Sequence, residues 1–239
     1  MGISDQRQLA LWAKATVGPP TSYHPLTYHM LDVGSVAQEL FRTVLSNRTK
    51  KWLAESMSIS ILDCEKWITF IAACHDIGKA HPQFQAMVPD LKISIAKQGI
   101  HFSQLSLGHE KVPHGTVTSK IMLNELKTVL NEGKVDPGFL QLISFAAGSH
   151  HGTIPSSIDV MSVSPSVLGG VEWAALRKEM IKCVIETIGL DISIWPRLSV
   201  NNANSFFVFI AGLISVSDWI GSDIENFPYE RVASSFREY

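Results

Sequence analysis

The chain has 239 residues, and 46% of them are hydrophobic, which is enough for one buried core and excludes an intrinsically disordered protein. The formal net charge of −2 excludes binding of nucleic acid over the whole surface, because that mode needs a broad excess of lysine and arginine. Three widely spaced cysteines indicate buried thiols in a reducing cytosol, and the longest apolar run, residues 206–216, is too short to span a bilayer. We therefore expect a cytoplasmic protein with no membrane contact.

The chain is predicted to consist of an N-terminal segment, residues 1–22, and a single domain, residues 23–239. Within the segment, residues 9–13 have helical spacing, and the run Gly18-Pro19-Pro20 predicts a loop. The rest of the sequence contains no repeat and no sustained alternation of apolar and polar residues, so no sheet is expected. The predicted class is all-α.

Two predicted helices follow the N-terminal segment. The first begins at Pro25, is amphipathic, and carries His29 on its apolar face. The second is predicted over residues 63–79, and an apolar run in it leads directly into His75 and Asp76. Burying a histidine beside an aspartate is costly unless something pairs with them, and a metal ion is the commonest remedy.

Histidines recur at the ends of the next helices. Residues 86–112 show no sustained periodicity and are predicted to be a long loop that covers a site. A helix then opens at Pro113 with His114 in its first turn. The helix after it directs its core face into the pair His150 and His151.

The last part of the chain adds a carboxylate. Residues 172–189 are predicted to form an amphipathic helix, and residues 206–221 a helix that is apolar nearly all round and therefore belongs in the middle of a bundle. Its only charge is Asp218, which would need a partner or a shifted pKa in such surroundings. The tail, residues 222–239, is predicted to be helical.

Metal-type side chains thus lie on five predicted helices or helix ends: His29, His75, Asp76, His114, His150, His151 and Asp218. Each histidine alone is as well explained by a hydrogen bond to a backbone carbonyl. The seven together favour a metal centre over seven separate structural roles. The other histidines, His24, His81, His101 and His109, fall in predicted loops and are expected at the surface.

The order H…HD…D resembles the signature of the HD metal-dependent phosphohydrolase superfamily. The chain is most similar to one branch, the HD nuclease domain of the prokaryotic type I CRISPR-associated helicase-nucleases. The resemblance lies in Tyr28-His29, Leu31-Asp32-Val33, His75-Asp76-Ile77-Gly78-Lys79, Phe84-Gln85, Pro113-His114-Gly115, His150-His151-Gly152 and Ser217-Asp218-Trp219-Ile220-Gly221. It covers residues 23–222 and implies an HD-domain helical bundle with a central metal site.

The resemblance also implies a site for two metal ions. His29, His75, Asp76 and Asp218 would hold one ion, and His114, His150 and His151 the other, with Asp76 as the bridge. Two divalent ions about 3.5 to 4 Å apart can clamp a phosphodiester, and imidazole-rich ligation favours Fe or Mn, then Ni or Co, over Mg. Lys79 would orient Asp76 or contact the scissile phosphate, so Asp76 and Lys79 are the catalytic candidates.

The activity implied is hydrolysis of single-stranded DNA in CRISPR interference, an antiviral defence. The implied partners are single-stranded DNA, a helicase domain or subunit, and the CRISPR RNA-guided surveillance complex; a helicase phosphate-binding loop, GxxxxGK[ST], does not occur in these 239 residues. A second hypothesis is an HD phosphohydrolase that acts on nucleotides or cyclic nucleotides, for which His114, His150 and His151 are more ligands than the minimal set needs. A third, a non-catalytic interaction module, is disfavoured by the complete ligand set.

Overall fold

The structure is a computed structural model that describes residues 3–16, 21–108, 111–130, 136–199 and 203–229. Helices dominate it, with the bounds α1 Ile3–Leu9, α2 Leu26–Glu39, α3 Asn47–Met57, α4 Ile61–Ala73, α5 Pro82–Gln85, α6 Pro89–Lys97, α7 Gln104–Leu107, α8 His114–Ile121, α9 Lys127–Val129, α10 Pro137–Gly148, α11 Ser157–Ser162, α12 Gly170–Ile188 and α13 Ala203–Gly221. Two short strands, β1 Trp12–Ala15 and β2 Tyr23–Pro25, pair antiparallel. The predicted all-α helical bundle is confirmed, and the division of the chain at residue 22 stays a prediction.

The bundle is built around α4, whose apolar side chains are buried against α2, α3 and α12. Ser60 caps its N-terminus, because the Ser60 hydroxyl accepts a hydrogen bond of 3.1 Å from the backbone N–H of Asp63. In its middle, Trp67 packs edge-on against Phe70 and Phe139, with ring centroids 5.8 and 5.6 Å apart. Through Phe139, α10 is therefore anchored to the centre of the core.

Two glycines let α8 and α10 cross in direct backbone contact. A Cβ atom added to Gly115 would lie 2.4 Å from the carbonyl oxygen of Gly148, and one added to Gly148 would lie 2.4 Å from that of Gly115. Only glycine fits at such a crossing. Because Gly115 follows His114 and Gly148 lies two residues before His150, the crossing brings these two histidines together.

The end of α4 differs from the prediction. The helix does not continue to residue 79 but ends at Ala73, and a 3-10 segment, Cys74–Lys79, carries the His-Asp pair. A Cβ atom added to Gly78 would lie 2.2 Å from the carbonyl oxygen of His114, so this segment is pressed against the start of α8. The tighter turn of a 3-10 helix directs both His75 and Asp76 into the bundle.

Three other predicted segments are corrected. Residues 86–112 are not a structureless loop: Pro89 starts α6, which buries Leu91 and Ile95, and α7 follows. The helix near the N-terminus ends at Leu9, and β1 begins where residues 9–13 were expected to be helical. Residues 222–229 form turns rather than a helix. Residues 18–20, 109 and 230–239 lie outside the described residues.

Helix α13 lies at the edge of the bundle and not in its middle. It packs against α2 and α10, while Val208, Val216, Trp219 and Ile220 are 67%, 40%, 72% and 43% exposed. Among the described helices, α13 alone is long and apolar enough to cross a membrane, by length and composition only. The helix is longer than the apolar run of residues 206–216, which by itself was too short to span a bilayer. Its buried Asp218 faces the other helices of the bundle, so the apolar outer stripe is a surface left open.

Candidate metal centre

The fold brings all seven predicted ligands into one cluster. They come from α2 (His29), the 3-10 segment (His75 and Asp76), the start of α8 (His114), the turn after α10 (His150 and His151) and α13 (Asp218). His29, His75, Asp76 and His150 are fully buried, whereas His114 is partly open and His151 is exposed. The cluster is therefore closed on one side and accessible from the other.

The two oxygens of Asp76 divide the histidines into two sets. Oδ2 lies 3.3 Å from His29 Nε2 and 3.4 Å from His75 Nε2. Oδ1 lies 3.3 Å from His114 Nε2 and 3.4 Å from His150 Nε2. Asp76 thus stands between the two sets, as a bridging carboxylate does.

The outer ligand of each set completes it. Asp218 Oδ1 lies 3.2 Å from His29 Nε2 and 3.5 Å from His75 Nε2. On the open side, His151 Nε2 lies 2.9 Å from His114 Nε2, which itself is 3.3 Å from His150 Nε2. The nitrogen and oxygen atoms of each set therefore surround one position, at which an ion would be bound.

These separations fit metal ligands better than hydrogen bonds. Two ligands held at about 2.1 Å from one tetrahedral ion are about 3.4 Å apart, which matches most of the pairs. Within the described residues, His29 Nε2, His75 Nε2 and Asp76 Oδ1 are buried without a hydrogen-bond partner. Buried polar atoms left unpaired are costly, and a cation at each point would satisfy them. The donor set therefore fits a metal centre.

Two of the histidines are held by backbone carbonyls. His75 Nδ1 donates to the carbonyl of Ala72 at 2.9 Å, and His150 Nδ1 donates to that of Ala147 at 2.7 Å. Both bonds fix the ring so that the Nε2 lone pair points into the cluster. Thr118 adds a further anchor, since its hydroxyl donates to the carbonyl of His75 at 2.8 Å.

Lys79 contacts the same carboxylate. Its Nζ lies 2.6 Å from Asp76 Oδ2 and 5.5 Å from the centroid of the Phe84 ring, and its side chain is buried. The structure therefore shows Lys79 in the position from which it would orient Asp76. Contact between Lys79 and a scissile phosphate stays a prediction.

The acidic and basic side chains of the cluster shift one another's pKa values. Burial raises the pKa of Asp76, but the nearby Lys79 and His75 outweigh burial and hold that pKa well below its usual range. Burial lowers the pKa of His75, and Asp76 and Asp218 reverse this and raise it to about 9. Burial also raises the pKa of Asp218, but His29 and His75 outweigh burial and hold that pKa well below its usual range. Asp76 and Asp218 are thus both held as anions, the form that binds cations.

Lys14 is a neighbour of the site that the sequence did not reveal. Lys14 lies on β1, its Nζ is 4.0 Å from Asp218 Oδ1, and it is hydrogen-bonded to the hydroxyl of Ser222. Ser222 in turn donates to Asp218 Oδ1 at 2.9 Å. Burial lowers the pKa of Lys14. The only signal in the sequence was a lysine in a short apolar stretch, and the strand pairing that places it was not predicted.

Two histidines expected at the surface are buried. His24 Nε2 lies 2.6 Å from Asp32 Oδ2, and His81 Nδ1 donates to the carbonyl of Gly78 at 2.6 Å. Both are at most 2% exposed, because β2 and the turn after the 3-10 segment pack inward. His101 is exposed as predicted, with 85% of its side chain accessible, and His109 lies outside the described residues.

Arg177 and Gln85 support the segment that carries the His-Asp pair. The guanidinium of Arg177 is buried, forms a bidentate pair with Glu125, and donates to the carbonyl of Ala80 at 3.0 Å. The side-chain amide of Gln85 donates to the carbonyls of Lys79 and Trp12, both at 2.9 Å. These bonds fix the residues that follow Asp76 against the neighbouring elements.

Acid should destabilise the fold partly through His81. Burial lowers the pKa of His81 to about 4, whereas an unfolded histidine has a pKa of about 6.5. Unfolding therefore takes up a proton between these values, so this stability is present above pH 6.5 and is lost as pH falls towards 4, by about 3 kcal/mol in all. Denaturant unfolding at pH 7, 5.5 and 4.5 should show a shallower loss for His81→Gln than for the wild type.

His101→Gln is the control for this measurement, because its imidazole is exposed and its ion pair with Glu172 lies at the surface, where such pairs contribute little to stability. We expect its loss of unfolding free energy with falling pH to follow the wild type. Equal slopes in the wild type and His81→Gln would show that His81 is not buried in the neutral form.

Cavities adjoin the open side of the cluster. One of about 540 Å³ is lined in part by His114 and His151. A second, of about 400 Å³, is lined in part by Phe84 and Met87, and both include Lys111. The accessible histidines thus face a cavity that also contains apolar side chains and Lys111, and Lys111 borders the second cavity, which contains the aromatic Phe84.

Comparison with known proteins places this chain in a family. The model of the family described as the HD domain of Cas3 matches residues 12–227. The chain belongs to the Cas3 HD-domain family. A CRISPR-associated endonuclease/helicase Cas3 from Thermus thermophilus is 30% identical over 230 residues, which are 95% of this chain and 23% of that protein. This chain thus spans about a quarter of the length of the curated relatives it matches.

Solved structures share the fold. A CRISPR-associated protein is matched over 100% of this chain and 26% of its own, with a TM-score of 0.85 and 30% identity. The Thermus thermophilus Cas3 HD domain in the presence of Ni2+ is matched over 98% of this chain and 86% of its own, with a TM-score of 0.64 and 25% identity. A chain of a pre-nicking CRISPR RNA-guided surveillance complex is matched over 95% and 26%, with a TM-score of 0.71 and 26% identity.

Proposed function

We propose that this Cas3 HD-family chain is a metal-dependent nuclease that hydrolyses phosphodiester bonds of single-stranded DNA in CRISPR interference. The observation that carries this proposal is the division of the histidines between the two oxygens of Asp76, with two nitrogens beside each oxygen at 3.3 to 3.4 Å. Two bound divalent ions would supply an activated water and stabilise the leaving oxygen. An ordinary mononuclear site would not need this second set of histidines.

Each ligand set has its own environment. His29, His75 and Asp218 form the buried set, in which carboxylate and imidazole are held by neighbouring helices. His114 and His151 form the open side of the other set. We therefore propose that a phosphodiester approaches the pair from the side of His114 and His151, and that Lys79 keeps Asp76 oriented between the two sets.

The ions proposed are transition metals. Five imidazole ligands and two carboxylates favour Fe(II) or Mn(II), followed by Ni(II) or Co(II), because Mg2+ prefers oxygen ligands and keeps several waters. The Ni2+ present with the Thermus thermophilus HD domain supports this choice of metal class.

The two cavities beside the open side support the proposal of a single-stranded substrate. Lys111 joins the two cavities, Phe84 lines one of them, and Lys79 lies over the Phe84 ring. Proteins bind a separated strand with aromatic rings, on which bases stack, and with a few cations that contact phosphates locally. With a net charge of −2, the chain lacks the broad excess of basic residues that binding of duplex DNA over its surface needs.

The partners proposed are a helicase and the CRISPR RNA-guided surveillance complex. The Thermus and Streptococcus relatives are named as nuclease and helicase on one chain, and a similar chain occurs in a surveillance complex. In this proposal a helicase supplies the separated strand on which the metal centre acts.

The experiment that tests the function is cleavage of circular single-stranded DNA. Metal-stripped protein is given Fe(II), Mn(II), Ni(II), Co(II) or Mg(II) in turn, and the circles are separated by gel electrophoresis. We expect linear products with transition metals, little with Mg(II), and none from covalently closed duplex circles. Circles offer no ends, so their opening identifies an endonuclease.

Intact circles under every metal would overturn the proposal. If the same preparations hydrolyse nucleotides or cyclic nucleotides, the second hypothesis, an HD phosphohydrolase, takes its place. Measuring release of nucleoside monophosphate in parallel separates these two results.

A further inference from the structure

His29 differs from the other buried ligand histidines in how its outer nitrogen is surrounded. His75 and His150 lie where helices end and donate Nδ1–H to carbonyls three residues before them, at 2.9 and 2.7 Å. Carbonyls of the last helical turn are free to accept such bonds. His29 lies inside α2, where the backbone carbonyls are used by the helix. Its Nδ1 is buried without a hydrogen-bond partner among the described residues.

Asp32 is the carboxylate next to His29. It follows His29 by about one turn of α2, so the two side chains share a face of the helix. A ring nitrogen of His29, a ring nitrogen of His24 and a carboxylate oxygen of Asp32 all lie within 4.8 Å of one another. All three residues are buried. The carboxylate of Asp32 therefore lies beside the His29 ring, although the two side chains make no hydrogen bond in this arrangement.

His24 anchors Asp32 from the other side. Its Nε2 lies 2.6 Å from Asp32 Oδ2, and its ring is stacked on that of Tyr229, with centroids 5.9 Å apart. Strand pairing with β1 fixes His24, since it lies opposite Lys14 in the ladder. The carboxylate thus has one oxygen held by a rigid neighbour.

The same three residues do not form a third metal site. Two ligands of one ion at about 2.1 Å are about 3.4 Å apart in tetrahedral geometry, as the pairs around Asp76 are. The His24–Asp32 distance of 2.6 Å is that of a charge-assisted hydrogen bond. An ion would have to break this bond before it entered.

We propose that Asp32, held by His24, is a positioning residue for the metal ligand His29. Asp32 accepts the Nδ1–H of His29 when ligation fixes the ring, and it thereby selects the tautomer whose Nε2 lone pair faces Asp76 and Asp218. Carboxylate–histidine–metal arrangements of this kind orient the ring and raise the basicity of the ligand. The proposal rests on the metal centre of the proposed function, and it concerns only the ion that His29 would hold.

The test compares Asp32→Asn with Glu65→Gln. Both replace a buried carboxylate by its amide, but Glu65 faces Gln38 near the end of α2 and Arg42 in the turn after it, away from the ligands. Metal-stripped proteins are titrated with Co(II), and the absorption of the bound ion is followed in the visible range. We expect two Co(II) ions in the wild type and in Glu65→Gln, with equal affinities.

In Asp32→Asn, the affinity of one Co(II) ion should fall by about 10- to 100-fold, with a changed ligand-field spectrum, while the other ion binds as in the wild type. His24→Gln keeps the carboxylate and is expected to weaken the same ion by about tenfold, so it serves if Asp32→Asn does not fold. Wild-type titrations in both variants would overturn the proposal, and so would loss of a third ion in Asp32→Asn. DNA cleavage does not enter this readout, so a failure of the nuclease proposal is distinguished from a failure of this one.

Discussion

Asp76→Ala is expected to eliminate cleavage of single-stranded DNA while the protein remains folded. Among the residues that the structure describes, Asp76 alone has oxygens that face both ligand sets, with four histidine nitrogens at 3.3 to 3.4 Å. Removing one electrostatic contact from an active site costs roughly 10²- to 10³-fold in rate. The loss here should be larger, because both ions would lose a ligand and Lys79 would lose its partner.

The measurement is the rate of opening of circular single-stranded DNA under saturating Mn(II), together with the number of ions bound. Asp90→Ala, which removes an exposed carboxylate from α6, is the matched control and should cut as the wild type does. Residual cutting by Asp76→Ala within tenfold of the wild type would remove Asp76 from the role of bridging ligand.

Of the substitutions predicted for this protein, Arg177→Met should lower the free energy of unfolding most. The guanidinium is 1% exposed and makes bonds to Glu125, Ala80 and Leu168, of which the bidentate pair with Glu125 is the strongest. Its removal leaves the carboxylate of Glu125 buried without its partner. Breaking one side of a buried ion pair costs about 3 to 5 kcal/mol of the free energy of unfolding.

The double variant Arg177→Met, Glu125→Leu tests this reasoning by denaturant unfolding. Because it removes both charges and fills the space with apolar groups, it should recover most of the stability that the single variant loses. A double variant no more stable than Arg177→Met would indicate that the bonds to Ala80 and Leu168, and not the ion pair, dominate. Lower metal affinity in Arg177→Met would further show that Ala80 transmits the change to the 3-10 segment.

The sequence predicted most helices of the bundle because the spacing of apolar residues reports the helical period directly. The helices that begin at Leu26 and Pro137 follow that period, and α12 agrees with its prediction within about two residues at each end. Short elements were missed: β1, β2 and α7 contain four, three and four residues. In the nine-residue α6, the apolar Leu91, Ile93 and Ile95 recur at every second residue and not at the helical period. For such segments tertiary packing outweighs local preference.

The apolar character of α13 shows a different limit. Hydrophobicity alone predicted a central helix, yet Val208 and Trp219 are 67% and 72% exposed. A pattern of apolar residues indicates that a helix face avoids water. It does not indicate whether this part of the chain contains the surface that covers that face.

The sequence by itself determined the candidate ligands, since the order of the motifs names the ligand types and each motif keeps its neighbours within one turn. Only the tertiary structure decided how these side chains lie together: which Asp76 oxygen faces His29 or His114, where Lys14 and His24 lie, and which bonds hold the 3-10 segment. The reason is physical. Helical period and motif spacing are local, whereas the assignment of one oxygen to one nitrogen depends on how five distant segments cross, to within less than an ångström.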